Sequence, residues 1–159
     1  MEKMTEKTPS KTLKTPKNKV EPLVDARLQA GWFNRVREAH QTETAEDYVE
    51  LIADLIEAQG EARVVDLATR FGVSHATVNK VIARLNREGL VNNLPYRSLF
   101  LTEEGQALAA RCKERHKIVL DFLLALGVSP ATAEADSEGV EHHVSAETLE
   151  AFQKFIRKN

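Results

Sequence analysis

The sequence predicts a mainly α-helical chain in which a winged helix-turn-helix head precedes a second, helical domain. Three observations lead there. Residues 62–91, ARVVDLATRFGVSHATVNKVIARLNREGLV, read as two short amphipathic helices around a tight turn at Gly72. Two short apolar runs from Leu90 to Leu101 flank Pro95, Tyr96, Arg97 and Ser98, the pattern of a β-hairpin with a basic, aromatic tip. Beyond Thr102, cap-like residues recur before apolar periodic stretches: Thr102 itself, Ser129 with Pro130, and Ser145.

Composition sets the outer limits. A chain of 159 residues with 42% hydrophobic content can bury one core, so disorder throughout is excluded. No run approaches the roughly eighteen apolar residues of a membrane span, and no apolar signal stretch opens the chain, which implies a cytoplasmic protein. The lone Cys112 has no partner for an internal disulfide or a CxxC pair and reads as a small buried hydrophobe. The formal net charge of −2 hides a segregation, for residues 1–20 carry +4 and the remainder −6. Residues 1–22, rich in Lys, Thr and Pro, lack apolar periodicity and are expected to be a disordered tail. A basic tail either adds phosphate attraction or merely solubilises the chain.

The helical pattern begins at Val24 and runs to Gln59, with a break into two helices expected near Gln41–Thr44, where polar residues interrupt the stripe. Residues 23–44 would form an N-terminal extension in which Trp32, Phe33 and Val36 make an apolar cluster expected to pack against something. Residues 45–102 would form the DNA-binding head. Within it, Tyr48, Leu51, Ile52, Leu55 and Ile56 form an apolar stripe, Asp47, Glu50, Asp54 and Glu57 an acidic one, and Gly60 ends the helix. An acidic stripe alone is either a solvated face or a site.

In the helix-turn-helix, Val65, Leu67, Ala68 and Phe71 should pack the first helix, and Ser74 should cap the second. Val78, Val81, Ile82 and Leu85 hold that second helix on the core. Its outer face offers His75, Thr77, Asn79, Lys80, Arg84 and Arg87, the short polar and cationic groups that a major-groove helix uses. Arg97 on the wing would reach a phosphate or the minor groove, or stand as an ordinary solvated arginine.

Residues 103–159 would form the second domain. A long helix opens at Glu103, carries His116 and ends at Gly127; a helix from Pro130 carries Glu138, Glu141, His142 and His143; and a last helix turns Leu149, Phe152, Phe155 and Ile156 inward. Apolar faces on three consecutive helices, too few to close a core alone, imply a homodimer interface. Glu138, Glu141 and His142 stand at i, i+3 and i+4 and are expected to leave one helix face together. Two carboxylates beside an imidazole suit a divalent cation, although a surface helix end would look the same. His143 points about 100° away on an ideal helix, and His40 joins no convergent set.

These motifs together resemble the diphtheria-toxin-repressor family, in its manganese transport regulator branch. The resemblance runs from about Thr44 to Phe155 through EDYVELI (46–52), the helix-turn-helix, the wing ending LFLT (99–102), ERH (114–116), LGVSP (126–130) and EGVEHHVS (138–145). It implies a metal site built from Asp47, Glu50, His116, Glu138, Glu141 and His142, with one or two ions per subunit. Iron-responsive relatives carry Met and Cys where this chain has Asp47 and Glu138, and hard carboxylates in place of sulfur favour Mn²⁺. The resemblance further implies a homodimeric repressor of manganese uptake genes that binds double-stranded operator DNA when metal joins the first shared helix to the dimerisation helices. It does not cover the roughly 40 residues before the first shared helix, and a third domain like that of longer iron-responsive members is not expected. Three rival readings are an iron- or zinc-responsive regulator of the same fold, a winged-helix regulator indifferent to metal, and a metal-dependent hydrolase. The last lacks HExxH, GxSxG and a P-loop.

Overall fold

A computed structural model describes residues 22–92 and 98–158. The expected tail at residues 1–22 and the wing tip with Pro95, Tyr96 and Arg97 lie, all but Pro22, outside the described residues.

Helix α1, Ala26–Gln59, is continuous over 34 residues, which corrects the expected break near Gln41–Thr44. Gln41, Thr42, Glu43 and Thr44 are polar, but none is a Gly or Pro, so the backbone has no reason to leave the helix there. What changes at that stretch is the surroundings. Before it the helix is exposed; after it Ala45, Tyr48, Val49, Ile52 and Leu55 are buried. Asp25 caps the start through its Oδ1, which accepts from the N–H groups of Arg27 and Leu28 at 3.0 and 3.2 Å. Gly60, at φ 84°, ends α1 by donating to the Ile56 carbonyl at 2.9 Å.

Helices α2 (Val64–Phe71) and α3 (His75–Arg87) follow, turned at Gly72, whose φ of 65° suits glycine. The Ser74 Oγ accepts from the Thr77 N–H at 3.1 Å and starts α3 where expected. Strands β1 (Val91–Asn92) and β2 (Phe100–Leu101) pair antiparallel, with Val91 opposite Leu101 and Asn92 opposite Phe100, which gives the base of the wing. The core of the head draws on every element: Tyr48, Val49 and Ile52 from α1, Leu67 from α2, Val78, Ile82 and Leu85 from α3, and Val91, Leu99 and Leu101 from the hairpin. Tyr48 and Phe71 stack at 4.4 Å. Val65, expected in this core, is instead 47% exposed, because the opposite face of α2 is the one that meets α1.

Helix α4, Glu103–Ala125, leaves the wing directly. Thr102 Oγ1 both donates to the Gly89 carbonyl, at 2.6 Å, and accepts from the Gly105 N–H, at 3.0 Å, so one side chain joins the end of the reading helix to the start of α4. Helix α5 (Pro130–Val140) begins at Ser129, whose hydroxyl bonds to that of Thr132 and caps no backbone N–H. A 3-10 turn, Glu141–His143, separates α5 from α6 (Ala146–Ile156), which Ser145 caps. Phe122 of α4 stacks on Phe152 at 3.8 Å and meets Phe155 edge-on. No residue of α6 is fully buried, and Leu124 and Leu126 stay exposed. Trp32, Phe33 and Val36 keep exposures of 52%, 56% and 43%, so the expected packing of that cluster is only partial within one chain: Trp32 and Val36 line a small cavity with His143 and Val144. No described helix is long and apolar enough to cross a membrane.

Gly105 is where backbone meets backbone: a Cβ there would collide with the Leu90 carbonyl oxygen, and no side chain stands between to give way. Gly105→Ala is therefore expected to destabilise the chain by about 1–3 kcal/mol in chemical denaturation; unchanged stability would mean that the Leu90–Gly105 approach is not a constraint.

Candidate metal centre and DNA-reading helix

Four segments bring ligand-type side chains together: α1 with Glu46, Asp47 and Glu50, α4 with Arg115 and His116, the end of α5 with Glu138, and the 3-10 turn with Glu141 and His142. Tyr48, Val49 and Ile52 point into the head, which leaves Glu46, Asp47 and Glu50 on the faces turned to α4 and the turn. The acidic stripe of α1 divides in use. Asp54 and Glu57 both pair with Lys113 of α4, at 3.0 and 2.9 Å, while Asp47 and Glu50 face the cluster.

The expectation that Glu138, Glu141 and His142 share one helix needs correction, since α5 stops at Val140 and the chain tightens into the 3-10 turn. The residues separate into two neighbouring groups. Glu138 and Glu141 face His116: its Nδ1 is 3.2 Å from Glu141 Oε1 and 3.9 Å from Glu138 Oε1. His142 faces α1, with Nδ1 2.7 Å from Glu46 Oε2 and Nε2 2.9 Å from Asp47 Oδ1. The groups touch where His142 Nε2 lies 3.9 Å from Glu141 Oε1. Asp47, Glu50 and Glu138 also line one cleft of about 390 Å³ beside Arg70 and Phe71.

Glu46 and Arg115 belong to this cluster although no site role is expected for either from the sequence. Arg115 Nη2 donates to Glu46 Oε2 at 2.6 Å, and that carboxylate also holds His142. Both residues sit inside the EDYVELI and ERH motifs, next to Asp47 and His116, which was the available signal. Burial works against the charge of Glu46, yet the hydrogen bonds from His142 and Arg115 prevail and lower its pKa to about 2.

The electrostatics describe a site crowded with negative charge. Burial, with Glu141 nearby, raises Glu50 to about 7. Burial also raises Glu138. The hydrogen bond with Glu141 raises His116 to about 9. His142 rises to about 10, because Asp47 and Glu46 outweigh the burial that opposes its charge. Glu141 is 1% exposed and His142 7%. Among the described residues, Glu141 Oε2 and His142 Nε2 are buried without a hydrogen-bond partner. Thus His142 Nε2 and Asp47 Oδ1 stand close without the alignment of a hydrogen bond. Two buried donor atoms left over, in a set of carboxylates and imidazoles, fit a divalent cation.

On α3, His75, Thr77, Asn79 and Lys80 are exposed. The Thr77 hydroxyl is engaged with that of Ser74 at 3.0 Å, and Arg84 is half-buried and paired with Glu88 at 3.5 Å. The outer face of α3 is thus open near its start and partly committed near its end.

A helix-turn-helix with a short hairpin, joined through an acid–imidazole cluster to a separate set of helices, defines a DNA-binding transcriptional regulator of winged-helix type. Residues 40–99 match the family described as "Iron dependent repressor, N-terminal DNA binding domain", and residues 102–159 match "Iron dependent repressor, metal binding and dimerisation domain". The chain is 54% identical over 141 residues to the transcriptional regulator MntR of Escherichia coli O6:H1, covering 89% of this chain and 91% of that one. It is 38% identical over 109 residues to the HTH-type transcriptional regulator MntR of Listeria monocytogenes, covering 69% and 77%. A solved structure described as a manganese-dependent transcriptional repressor in complex with manganese superposes with a TM-score of 0.66 at 28% identity, over 72% of this chain and 53% of that one. The structure of the manganese regulator SloR gives 0.64 at 28%, over 72% and 54%. The chain therefore spans about half the length of these two solved chains. It belongs to the iron-dependent repressor family.

An imidazolium has no lone pair for a metal, so each histidine must release its proton on binding. With His116 at about 9 and His142 at about 10, that competition extends well above the ordinary imidazole range near 6.5, where the sequence alone would place it. The same elevation favours the folded, metal-free chain fully below about 6.5 and is lost as pH climbs through the raised values. Apparent Mn²⁺ affinity, followed by isothermal titration, is expected to tighten continuously from about pH 6 to about pH 8, with release of about two protons per ion near pH 8 from His116 and His142 and of nearly one more near pH 6 from Glu50, whose pKa is raised to about 7. A plateau reached by about pH 7 would exclude one or both imidazoles as ligands.

Proposed function

We propose that this chain is a manganese-responsive repressor that binds operator DNA as a homodimer, with Asp47, Glu50, His116, Glu138, Glu141 and His142 holding the metal. The observation that carries this reading is the pair of buried atoms without an aligned hydrogen bond, Glu141 Oε2 and His142 Nε2, set among more carboxylates than Arg115 and the two imidazoles neutralise. Bound there, a divalent cation supplies the positive charge that lets these carboxylates crowd together. Four of the six candidate ligands are carboxylates, a hard donor set that favours Mn²⁺ over softer ions in selectivity, though not in raw affinity. The likeness to the MntR regulators and to the manganese-bound repressor supports that choice.

The chain's own residues account for the coupling. Asp47 and Glu50 are on the helix that supplies Tyr48, Val49 and Ile52 to the core of the reading head. His116, Glu138, Glu141 and His142 belong to α4, α5 and the turn; α5 and the turn pack on α4, and α4 packs through Phe122 on α6 with its half-exposed apolar face. Pinning α1 to the turn therefore sets the head against the dimerisation helices, and so sets the spacing of the two reading helices on DNA. His75, Thr77, Asn79, Lys80 and Arg84 would meet the groove, with Arg97 of the wing on the flanking backbone. The regulated genes would be those of manganese uptake, and the chain would act without catalysis.

In a gel shift with and without Mn²⁺, Glu141→Ala is expected to lose the metal-dependent gain in operator affinity while sedimentation still shows a dimer. Coupling of about 1–3 kcal/mol makes that gain roughly five- to hundredfold in the unaltered chain. A full metal response in Glu141→Ala would remove the proposed site.

A further inference from the structure

Next to His142, a second group of ligand-type side chains meets at the same 3-10 turn. His40 and Glu43 stand one turn apart on α1, and His143 faces them from the turn. His40 Nδ1 is 3.0 Å from Glu43 Oε2, and His143 Nε2 is 3.7 Å from that same oxygen. One ligand atom from each residue lies within 4.8 Å of the other two, and the imidazole rings meet edge to face at 4.8 Å and 70°.

We propose that His40, Glu43 and His143 form a second divalent-cation site, suited to an ion of borderline softness such as Zn²⁺. Three features support it. Bonds of about 2.0–2.1 Å around a tetrahedral ion put neighbouring ligand atoms about 3.4 Å apart, and the two nitrogen–oxygen distances bracket that spacing. Two imidazoles and one carboxylate also make a different donor set from the carboxylate-rich group beside it, with a position left for water, and imidazole-rich sets favour zinc over manganese. Finally, the turn is already held in place. Arg35 Nη2 donates to the His143 carbonyl at 3.4 Å, and Trp32, Val36, Ala39 and Val144 wall a cavity of about 250 Å³ against His142 and His143. The first half of α1 adds nothing to the core of the head, and an ion bound here would give it a role. It would then hold the turn from outside, next to the histidine that faces Asp47. Glu43 lies within reach of Asp47 and His142 as well, so the two sites adjoin through one carboxylate.

The site stands independently of the manganese reading and is tested by counting ions. The full-length chain would be dialysed to equilibrium against Zn²⁺ alone and against Mn²⁺ alone, with the bound metal measured by mass spectrometry. His40→Gln alters a side chain that is 62% exposed, so the fold should be unaffected. It is expected to bind one Zn²⁺ fewer per chain than the unaltered protein and as much Mn²⁺ as before, and His143→Gln should lose the same zinc equivalent. Unchanged Zn²⁺ stoichiometry in both variants would overturn the proposal. Loss of Mn²⁺ in step with Zn²⁺ in His40→Gln would overturn it too, by placing His40 in the first site.

Discussion

The arrangement of this molecule depends on the contact between α1 and the 3-10 turn at Glu141–His143. α1 serves both halves: its buried face completes the head, where Ala109 of α4 also packs, and its acidic face meets His142. The apolar part of that contact, Trp32, Val36 and Ala39 against Val144, encloses a cavity, and the close contacts are between charged and polar groups. Glu46 and Asp47 hold a nearly buried imidazole between them, Arg115 braces Glu46 from α4, and Glu141 is buried beside it. An interface made of charges responds to whatever changes the charges. An apolar interface of the same size would hold the two halves together whether or not metal was present.

The metal-free molecule meets its own electrostatic need with protons. His116 and His142 are raised well into the alkaline range, so near neutrality they carry positive charge among Glu141, Glu46 and Asp47. These imidazolium groups stand in for a cation, but each brings one positive charge and needs hydrogen-bond alignment to be effective. Glu141 Oε2 and His142 Nε2 stay without that alignment. A contact closed by protons alone is therefore weaker than one closed by coordinate bonds, and that difference is what a metal sensor requires.

Much of the fold was legible because its boundaries are set by local chemistry. Gly60 and Gly72 mark turns that need positive φ, and Ser74, Thr102 and Ser145 cap helices that begin where their side chains permit. The continuity of α1 was not legible, since a polar interruption at Gln41–Thr44 looks the same whether the helix breaks or only leaves the core. Nor was the 3-10 turn, because a spacing of i, i+3 and i+4 does not reveal that the backbone tightens at Glu141. That tightening sends His142 toward Asp47 and brings His143 toward His40, a pairing that ideal helix geometry argues against. Glu46 and Arg115 escaped notice for a different reason: their value lies in an ion pair between segments far apart in sequence, and periodicity within one helix carries no trace of it. Spacing singled out Glu138, Glu141 and His142, and the full set of six candidate ligands came from resemblance to a family. Composition alone left the acidic stripe of α1 undivided, and the structure separates Asp47 and Glu50 from Asp54 and Glu57 by giving the latter two to Lys113.

The most direct check is a crystal structure of the chain grown with Mn²⁺ and recorded near the manganese absorption edge. Anomalous density between Asp47, Glu141 and His142, with α1 drawn against the turn, is the expected result. A manganese-saturated crystal with no ion between α1 and the turn would contradict the claim that metal joins the two halves.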